Sequence, residues 1–338
     1  MKNTVILGAL SVVALSAGMA SADTLADVKA RGELNCGVNV GLTGFGAPDA
    51  NGNYQGFDVA LCKAVAAAVL GDASKVKYLP TTGETRFTAL ASGEVDVLIR
   101  NSTWSFQRDT DLKFDFVAVN YYDGQGFMVK KDLGVSSAKE LDGATVCIQT
   151  GTTTELNLAD FFKANNMSYT PVNVADDSEG QRQYLAGACD VYTTDASGLA
   201  ASRATLPDAD NHIILPEIIS KEPLGPLVRH GDNNWGDIIR WTYFALVAAE
   251  EYGVTSANVA DMATSTNNPE IKRLLGAEGE LGKMLGLDNE WAKRAIAASG
   301  NYGEIFEANI GSATPIKLAR GLNALWTQGG LQYAPPFR

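Results

Sequence analysis

A polar loop at residues 100–108, called here the arginine loop, contains residue types that bind an anionic group. It follows a mostly apolar run, residues 95–99, which predicts a buried strand. The donors in and just before the loop are Arg86, Arg100, Asn101, Thr103 and Arg108. A guanidinium group can hold a carboxylate through two parallel hydrogen bonds. Arg108 with the hydroxyl of Thr103 therefore predicts a carboxylate site.

A second group of polar residues lies further along the chain. Thr150, Thr152, Thr153 and Thr154 form a hydroxyl-rich turn before a predicted helix, whose first backbone N–H groups favour an anion. Asp195 follows another predicted strand and can accept hydrogen bonds from an ammonium group. The arginines and this acid together match the two charges of an α-amino acid zwitterion.

Each of these residues also fits a structural role without a ligand. Arg108 is followed by Asp109 and Asp111, so it can form an ion pair on the surface. The 150–154 turn can serve only as a helix cap, because capping and anion binding use the same N–H groups. Asp195 can be a plain turn residue, the side chains of Arg86 and Arg100 can be solvated, and Phe57 can be a core residue.

Alternating strands and helices position these residues. Residues 33–40 and 76–80 predict strands on either side of a helix that begins near Asp58, the expected N-cap. A second unit of the same kind starts at residue 144. This alternation predicts parallel sheets flanked by helices. In such sheets ligands bind beyond the carboxyl ends of the strands, where the arginine loop lies.

One pattern occurs twice in the sequence. Residues 90–101 (LASGEVDVLIRN) and 185–195 (LAGACDVYTTD) share a helix end, a glycine, an Asp-Val pair and a strand that ends in polar residues. We therefore predict two similar α/β lobes, with chain crossings near residues 120–125 and 216–222 that form a hinge. The predicted parts are a leader at 1–22, lobe 1 at 23–121 and 219–338 with a helical C-terminal extension, and lobe 2 at 122–218.

The N-terminal segment has the features of a secretory signal peptide. Lys2 precedes an apolar run at residues 5–15, and Ala-Ser-Ala at residues 20–22 matches a cleavage site. The alternative is a buried N-terminal helix. Asp23, not cysteine, follows the expected cleavage point, so a lipid anchor is not indicated. We expect an exported, soluble protein.

The charge of the chain argues against polyanionic partners. The sequence has 27 basic and 39 acidic residues, a net charge of −12, and loss of Lys2 with the leader takes it to −13. Nucleic acid and anionic membrane surfaces are therefore not expected as partners. About 316 residues follow the leader, enough for two domains with their own cores. They contain no second apolar stretch of membrane-spanning length.

Four cysteines follow the leader: Cys36, Cys62, Cys147 and Cys189. An even number in an exported protein favours two disulfides over free thiols, with three possible connectivities. Pairing Cys36 with Cys62 and Cys147 with Cys189 would keep each bridge within one lobe. Zinc is not indicated, because the cysteines lack C-x-x-C spacing and only two histidines are present. Catalytic motifs such as G-x-S-x-G and H-E-x-x-H are absent from the sequence.

In combination, these features resemble the periplasmic amino-acid-binding proteins of ABC importers. The resemblance covers about residues 30–255 and rests on the leader, Gly56-Phe57-Asp58, the loop ending in Arg108, Gly151-Thr152-Thr153 and Asp195. The long C-terminal part resembles the general L-amino-acid-binding subgroup, which serves uptake of glutamate, glutamine, aspartate and asparagine. The resemblance implies the type II periplasmic binding protein fold, an α/β fold with two lobes, each a mostly parallel sheet flanked by helices.

The resemblance also implies roles for individual residues. Arg108 and Thr103, helped by Thr153, would bind the α-carboxylate of the ligand. Asp195 would bind its α-ammonium group. Arg86 falls where glutamate and aspartate binders have an arginine for the side-chain carboxylate.

Three further residues complete the expected site. Asn101 would assist, although many members have glycine or serine there, and Phe57 would line the pocket as a stacking aromatic. Arg100 is an additional candidate in the same loop. No cofactor is implied. The expected partners are free L-amino acids and the permease subunits of an ABC importer, and the protein is expected to be a periplasmic monomer.

Other classes of protein share parts of this pattern. An enzyme on the same scaffold, such as a secreted cyclohexadienyl dehydratase, would need a general acid near the arginines, for which Glu84 or Asp195 is available. A lytic transglycosylase would need a further catalytic domain, and the last 85 or so residues, about 254–338, are too few for one. A chemoreceptor or channel domain would need a membrane segment.

Overall fold

The computed structural model describes residues 23–338. The predicted signal peptide lies outside the described residues. The strands are β1 (Leu34–Asn39), β2 (Ala47–Pro48), β3 (Tyr54–Gln55), β4 (Val76–Thr81), β5 (Val97–Leu98), β6 (Phe114–Phe116), β7 (Tyr121–Asp123), β8 (Gln125–Lys130), β9 (Thr145–Gln149), β10 (Thr170–Val174), β11 (Val191–Asp195), β12 (His212–Ile214), β13 (Glu222–Leu224) and β14 (Leu227–Arg229).

Helices cover the sheets and form most of the C-terminal part. They are α1 (Thr24–Arg31), α2 (Phe57–Leu70), α3 (Arg86–Ala91), α4 (Phe106–Thr110), α5 (Thr153–Ala164), α6 (Asp177–Leu185), α7 (Ala196–Ala204), α8 (Asn233–Glu251), α9 (Val259–Ser265), α10 (Pro269–Leu274), α11 (Leu281–Met284), α12 (Trp291–Ser299) and α13 (Tyr302–Asn309). Between residues 23 and 338, none of the helices has the length and apolar character needed to cross a membrane.

Two five-stranded sheets define two lobes with the same topology. The strand order is β4-β1-β5-β14-β6 in lobe 1 and β10-β9-β11-β8-β12 in lobe 2. In each sheet four strands run in one direction, and β14 or β8 runs antiparallel to its neighbours. β8 is the first strand after the chain enters lobe 2, and β14 is the first strand after it returns to lobe 1. The predicted α/β fold with mostly parallel sheets is confirmed, and the repeated pattern supplies the equivalent strands β5 and β11.

Two short strands carry the chain between the lobes. β7 and β13 pair in antiparallel fashion, with Tyr121 opposite Leu224 and Asp123 opposite Glu222. The chain passes from β7 into β8 of lobe 2, and from β13 into β14 of lobe 1. Adjacent crossings of this kind allow the lobes to rotate against each other.

Helix α2 begins two residues earlier than predicted, at Phe57. Its N-cap, Gly56, has φ 134°, and a Cβ there would lie 2.3 Å from the carbonyl oxygen of Phe45, so only glycine fits. The predicted capping role of Asp58 is therefore wrong. Its carboxylate instead accepts hydrogen bonds from the N–H of Asn101 (3.1 Å) and from Nδ2 of Asn120 (3.2 Å). Burial raises the pKa of Asp58 to about 6.

The C-terminal extension, helices α9–α13 and the residues after them, packs on lobe 1. The guanidinium of Arg294 in α12 donates to the carbonyl oxygens of Ala67 (3.1 Å) and Ala68 (3.0 Å) near the end of α2. The ring of Phe337 lies edge-on to Trp241 of α8, with centroids 5.1 Å apart. The extension and lobe 1 therefore share one apolar core.

Each lobe contains one disulfide. Cys36–Cys62 joins β1 to α2, and Cys147–Cys189 joins β9 to the turn before β11. The prediction of two disulfides is confirmed, and each bridge lies within one lobe. Lobe 2 has a smaller core, divided into one apolar cluster around Phe127 and another around Tyr184.

Candidate ligand-binding site

A small cavity lies between the lobes, beyond the carboxyl ends of β5 and β11. Its volume is about 20 Å³, room for about one water molecule. The lining residues are Arg86, Arg100, Asn101, Thr103, Gln149, Thr152, Thr153, Thr154, Thr194 and Asp195. Six of the eight predicted ligand-binding residues are among them. A ligand the size of an amino acid requires the lobes to part before it can enter.

A larger cavity, of about 390 Å³, lies between residues 43–48, the end of α7 and the C-terminal extension. Of the described residues that line it, none is charged. Buried charged groups converge instead on the small cavity between the lobes. That convergence makes the small cavity the better candidate for a charged ligand.

Arg86 is the first residue of α3 and is buried. Its Nη1 donates to the hydroxyl of Ser102 (3.1 Å), and its Nη2 donates across the cleft to the carbonyl oxygen of Gly151 (3.4 Å). Its Nε has no hydrogen-bond partner among the described residues. Burial, then the positive charges of Arg108 and Arg100, lower the pKa of Arg86 well below its usual range. An anionic ligand group would offset this cost.

Arg100 begins the arginine loop and is only 1% exposed. Its Nε also lacks a hydrogen-bond partner within residues 23–338. Burial lowers the pKa of Arg100, and the carboxylates of Asp177, Asp58 and Asp195 act in the opposite direction. The alternative that Arg100 is solvated is excluded. A buried guanidinium with a free N–H beside a cavity is suited to an anionic partner.

Arg108 lies behind Thr103 and is not among the cavity-lining residues. Its Nη1 donates to the carbonyl oxygen of Thr103 (2.9 Å), and its guanidinium carbon lies 5.0 Å from the centre of the Phe87 ring. Because Arg108 is 6% exposed, the alternative of a surface ion pair with Asp109 or Asp111 does not hold. Burial lowers the pKa of Arg108 to about 10.

Asn101 has a backbone conformation that few residues adopt. Its φ of 22° lies at the edge of the left-handed region, which asparagine tolerates better than most residues. Its N–H donates to the carboxylate of Asp58, and its side-chain oxygen accepts from Nδ2 of Asn39 (3.0 Å). These bonds hold the loop in a conformation that glycine would adopt more easily.

The N-terminus of α5 forms the lobe 2 side of the cavity. The hydroxyl of Thr152, the N-cap, donates to the carbonyl oxygen of Gln149 (2.7 Å), and no side chain of the described residues caps the helix. The first N–H groups of α5 are therefore available to an anion. Across the cleft, the hydroxyl oxygen of Thr153 lies 3.3 Å from that of Thr103.

Asp195 is the last residue of β11 and lines the cavity opposite the arginines. It is buried and lies at the start of α7 without capping that helix. Burial, followed by the negative charges of Asp123, Glu222 and Asp177, raises the pKa of Asp195 well above its usual range, while Arg86 acts in the opposite direction. A cationic ligand group would offset the cost of ionising this buried carboxyl.

Phe57 does not line the cavity, which corrects its expected role as a pocket aromatic. As the first residue of α2, it points into the core of lobe 1. Its ring packs edge-on against Phe45 (6.0 Å between centroids), Tyr121 (6.0 Å) and Tyr302 of the C-terminal extension (5.8 Å). The structural alternative for Phe57, a core position, is therefore the one that holds.

Several residues of the cleft were not predicted. Gln149 and Thr194 lie at the ends of β9 and β11, so the rule that ligands bind at strand ends could have found them. Asp177 accepts a hydrogen bond from Nδ2 of Asn39 (3.2 Å) across the lobes. Glu222 lies in the second crossing. No local pattern in the sequence indicates that these last two acids face the cleft.

The sequence matches a family profile described as bacterial extracellular solute-binding proteins, family 3, over residues 34–270. This match covers more than half of the chain. The protein therefore belongs to this family of solute-binding proteins, in agreement with its two-lobed fold.

Relatives within the family are close. The chain is 77% identical, over the full length of both proteins, to the glutamate/glutamine/aspartate/asparagine-binding protein BztA of Rhodobacter capsulatus. It is 61% identical, again over both full lengths, to the general L-amino acid-binding periplasmic protein AapJ of Rhizobium johnstonii. A solved periplasmic binding protein from Brucella ovis with glutathione bound is 57% identical, with a TM-score of 0.91 over 94% of this chain and 100% of that one. These relatives favour binding over the enzyme alternative.

Proposed function

We propose that the protein binds L-amino acids in the periplasm and delivers them to the permease subunits of an ABC importer. Acidic amino acids and their amides are the favoured ligands. One observation carries this proposal: buried Arg86 and Arg100 line one side of the cavity and buried Asp195 lines the other. The names of two relatives described above, BztA and AapJ, support the same class of ligand.

The α-carboxylate binds between Thr103 and the N-terminus of α5, with Arg108 as its counter-charge. Thr103 and Thr153 face each other across the cleft, so a group between them touches both lobes. Arg108 is held against Thr103 by the hydrogen bond to its carbonyl oxygen. Asp195 binds the α-ammonium group, because a neighbouring cation favours the ionised form of a buried carboxyl.

Arg86 binds the side chain of the ligand. Its Nε has a proton to donate, and a carboxylate or an amide oxygen can accept it. Arg100 adds a second positive charge beside the cavity, which favours acidic over basic side chains. Asn101 assists by holding the arginine loop through its bonds to Asp58 and Asn39.

Binding proceeds by closure of the lobes. The ligand first meets lobe 1, which carries the arginines, and lobe 2 then rotates about β7 and β13 to bring Asp195 and α5 into contact. Closure excludes water and so strengthens the charged contacts. The ligand shifts the equilibrium towards the closed form because it touches both lobes only in that form.

Residues 1–22 serve as a signal peptide that is removed on export, which the order of their basic, apolar and small residues supports. The mature protein then begins at Asp23. Intact mass spectrometry of the periplasmic protein tests this, and a retained Met1 would contradict it.

Calorimetric titration of the mature protein, unfolded and refolded to remove carried ligand, tests the function. The panel is glutamate, glutamine, aspartate, asparagine, leucine, lysine, glutathione and prephenate. We expect micromolar or tighter binding of the four acidic and amide amino acids, which are recovered unchanged. Glutathione is included because its γ-glutamyl end has the same zwitterion. No binding of any amino acid, or conversion of prephenate, would contradict the proposal.

A further inference from the structure

Glu222 joins the two lobes at a position that the proposed ligand contacts do not use. It is the first residue of β13 and is 1% exposed. Its Oε2 accepts hydrogen bonds from the hydroxyls of Thr103 in lobe 1 (2.5 Å) and Thr153 in lobe 2 (2.9 Å). Its Oε1 accepts from Nδ2 of Asn157 (2.7 Å) and the hydroxyl of Ser220 (2.6 Å). One carboxylate thus connects the arginine loop, helix α5 and the crossing.

The lobe 1 side of this arrangement is fixed to the crossing strand. Thr103 forms a β-bridge with Leu224, and the N–H of Trp104 donates to the carbonyl oxygen of Pro223 (2.8 Å). The arginine loop therefore stays with β13 when the lobes move. The bonds from Thr153 and Asn157 come from lobe 2, so these are the bonds that break when lobe 2 rotates away.

The two threonine hydroxyls cannot serve Glu222 and a ligand carboxylate at the same time. A threonine hydroxyl has one proton to donate. Thr103 and Thr153 donate theirs to Glu222. A ligand carboxylate bound between them must take over these protons. Glu222 would then keep Asn157 and Ser220 as donors, so the exchange leaves no buried carboxylate without hydrogen bonds.

The negative charge of Glu222 opposes binding of the ligand carboxylate, as its hydrogen bonds to the two threonines do. The charge of Glu222 acts on Arg108, the cation assigned to the ligand α-carboxylate. A second carboxylate beside the same cation is repelled by the first. The connection through Thr153 also holds the lobes around a cavity too small for an amino acid, so the connected form must open before binding.

We propose that Glu222 is an internal competitor of the ligand carboxylate, which connects the lobes through Thr103 and Thr153 and thereby lowers the affinity for amino acids. This inference rests on the proposed function, which assigns the two threonines to the ligand carboxylate. Glu222 is then a positioning residue that sets the rate of release without touching the ligand. Faster release suits a receptor that must hand its ligand to a permease.

The test is the Glu222→Gln variant. Glutamine keeps the Oε1 acceptor for Asn157 and Ser220, and its amide nitrogen leaves the threonine protons to the ligand. We expect glutamate to bind on the order of tenfold more tightly. Association should be faster because the connection no longer has to open, and dissociation slower because Glu222 no longer repels the ligand carboxylate. We also expect a longer distance between fluorophores attached at residues 72 and 163, both exposed, in the absence of amino acids. A purely structural role would lower thermal stability without tightening binding.

Glu217→Gln is the matched control. Glu217 also accepts hydrogen bonds from a serine hydroxyl, that of Ser137, and from the N–H of Ala138 (2.9 Å), and its replacement removes the same charge. Glutamate affinity should stay within about twofold of the parent. Unchanged or weaker binding in Glu222→Gln, or an unchanged distance between the lobes, would overturn the inference.

A second variant keeps the inference testable if Glu222→Gln does not fold. Asn157→Ala removes one of the two bonds from lobe 2 to Glu222 and is expected to lengthen the distance between the lobes by a smaller amount. No change would count against the connection. If the parent binds no amino acid, the proposed function fails, and the distance still tests the connection. If the parent binds glutamate and Glu222→Gln does not bind it more tightly, the inference fails alone.

Discussion

The two lobes have the same sheet topology and contribute opposite charges to the cavity. The repeated pattern ends in Arg100-Asn101 in lobe 1 and in Thr194-Asp195 in lobe 2. Lobe 1 thus supplies buried cations, and lobe 2 supplies an acid and the N-terminus of α5. The two similar lobes thus carry complementary charges, and under the proposed function a ligand with both charges is fully bound only when both lobes touch it.

The lobes also differ in how they are stabilised. Lobe 1 has a large core that is continuous with the C-terminal extension, and a smaller separate cluster around Phe114. Lobe 2 has only two small clusters and no core of comparable size among the described residues. A small core leaves less apolar burial to offset the entropy of the chain. Lobe 2 should therefore depend more strongly on its disulfide than lobe 1 does.

Removing the lobe 2 disulfide should have the largest effect. Replacing Cys147 and Cys189 by alanine opens a loop of sequence separation 42 and should lower the free energy of unfolding of lobe 2 by about 4 kcal/mol. Hydrogen exchange measures each lobe separately. The matched control replaces Cys36 and Cys62, which have a sequence separation of 26, and should lower the free energy of unfolding of lobe 1 by about 3.5 kcal/mol. The larger core should nevertheless keep lobe 1 folded. If loss of the lobe 1 disulfide increased exchange in lobe 1 more than loss of the lobe 2 disulfide increased it in lobe 2, lobe 1 would be the lobe that depends more on its disulfide.

The Arg108→Ala variant tests the carboxylate side of the comparison. It should leave the α-carboxylate poorly paired in a closed site and weaken binding of every amino acid ligand by about 3 kcal/mol, roughly a hundredfold. Calorimetry measures this loss. Arg338→Ala, at an exposed position, removes the same charge and should bind as the parent does. Parent-like affinity in Arg108→Ala would remove Arg108 from the site.

The acid of lobe 2 predicts a pH dependence. Because burial raises the pKa of Asp195, this carboxyl takes up a proton at a higher pH than an ordinary aspartate does, whereas a bound ligand ammonium favours its ionised form. Affinity should therefore fall as the pH is lowered, and binding should release a proton, seen as a dependence of the binding heat on the buffer. Asp195→Asn should bind about 2 kcal/mol more weakly and lose this pH dependence. A pH dependence that persists in the variant would point to another group.

Local patterns predicted one part of the cleft, and tertiary contacts decided the rest. Strand ends located Arg100 and Asp195, because periodicity and turn residues are visible in the sequence. The role of Phe57 was missed because the first turn of a helix does not reveal which face meets the core. Glu222 was missed because its position depends on the pairing of two strands about a hundred residues apart, β7 with β13. Asp58 was misassigned because the positive φ of Gly56, two residues earlier, makes that glycine the N-cap.

The smallest expected effect separates ligands that differ only at the side chain. Arg86→Ala should weaken the binding of glutamate and aspartate by about 1.4 kcal/mol, or tenfold, more than the binding of glutamine and asparagine. The reason is that a carboxylate oxygen forms a stronger hydrogen bond with the guanidinium than an amide oxygen does. Competition titrations of the four ligands measure this difference. Arg86→Lys keeps the charge without the planar fork and should lie between the two. Equal losses of affinity for all four ligands would mean that Arg86 binds the part that the ligands share, or that it acts through its hydrogen bond to Gly151 across the lobes. Lobe 1 would then recognise only the α-carboxylate, and the preference for acidic side chains would have to come from Arg100.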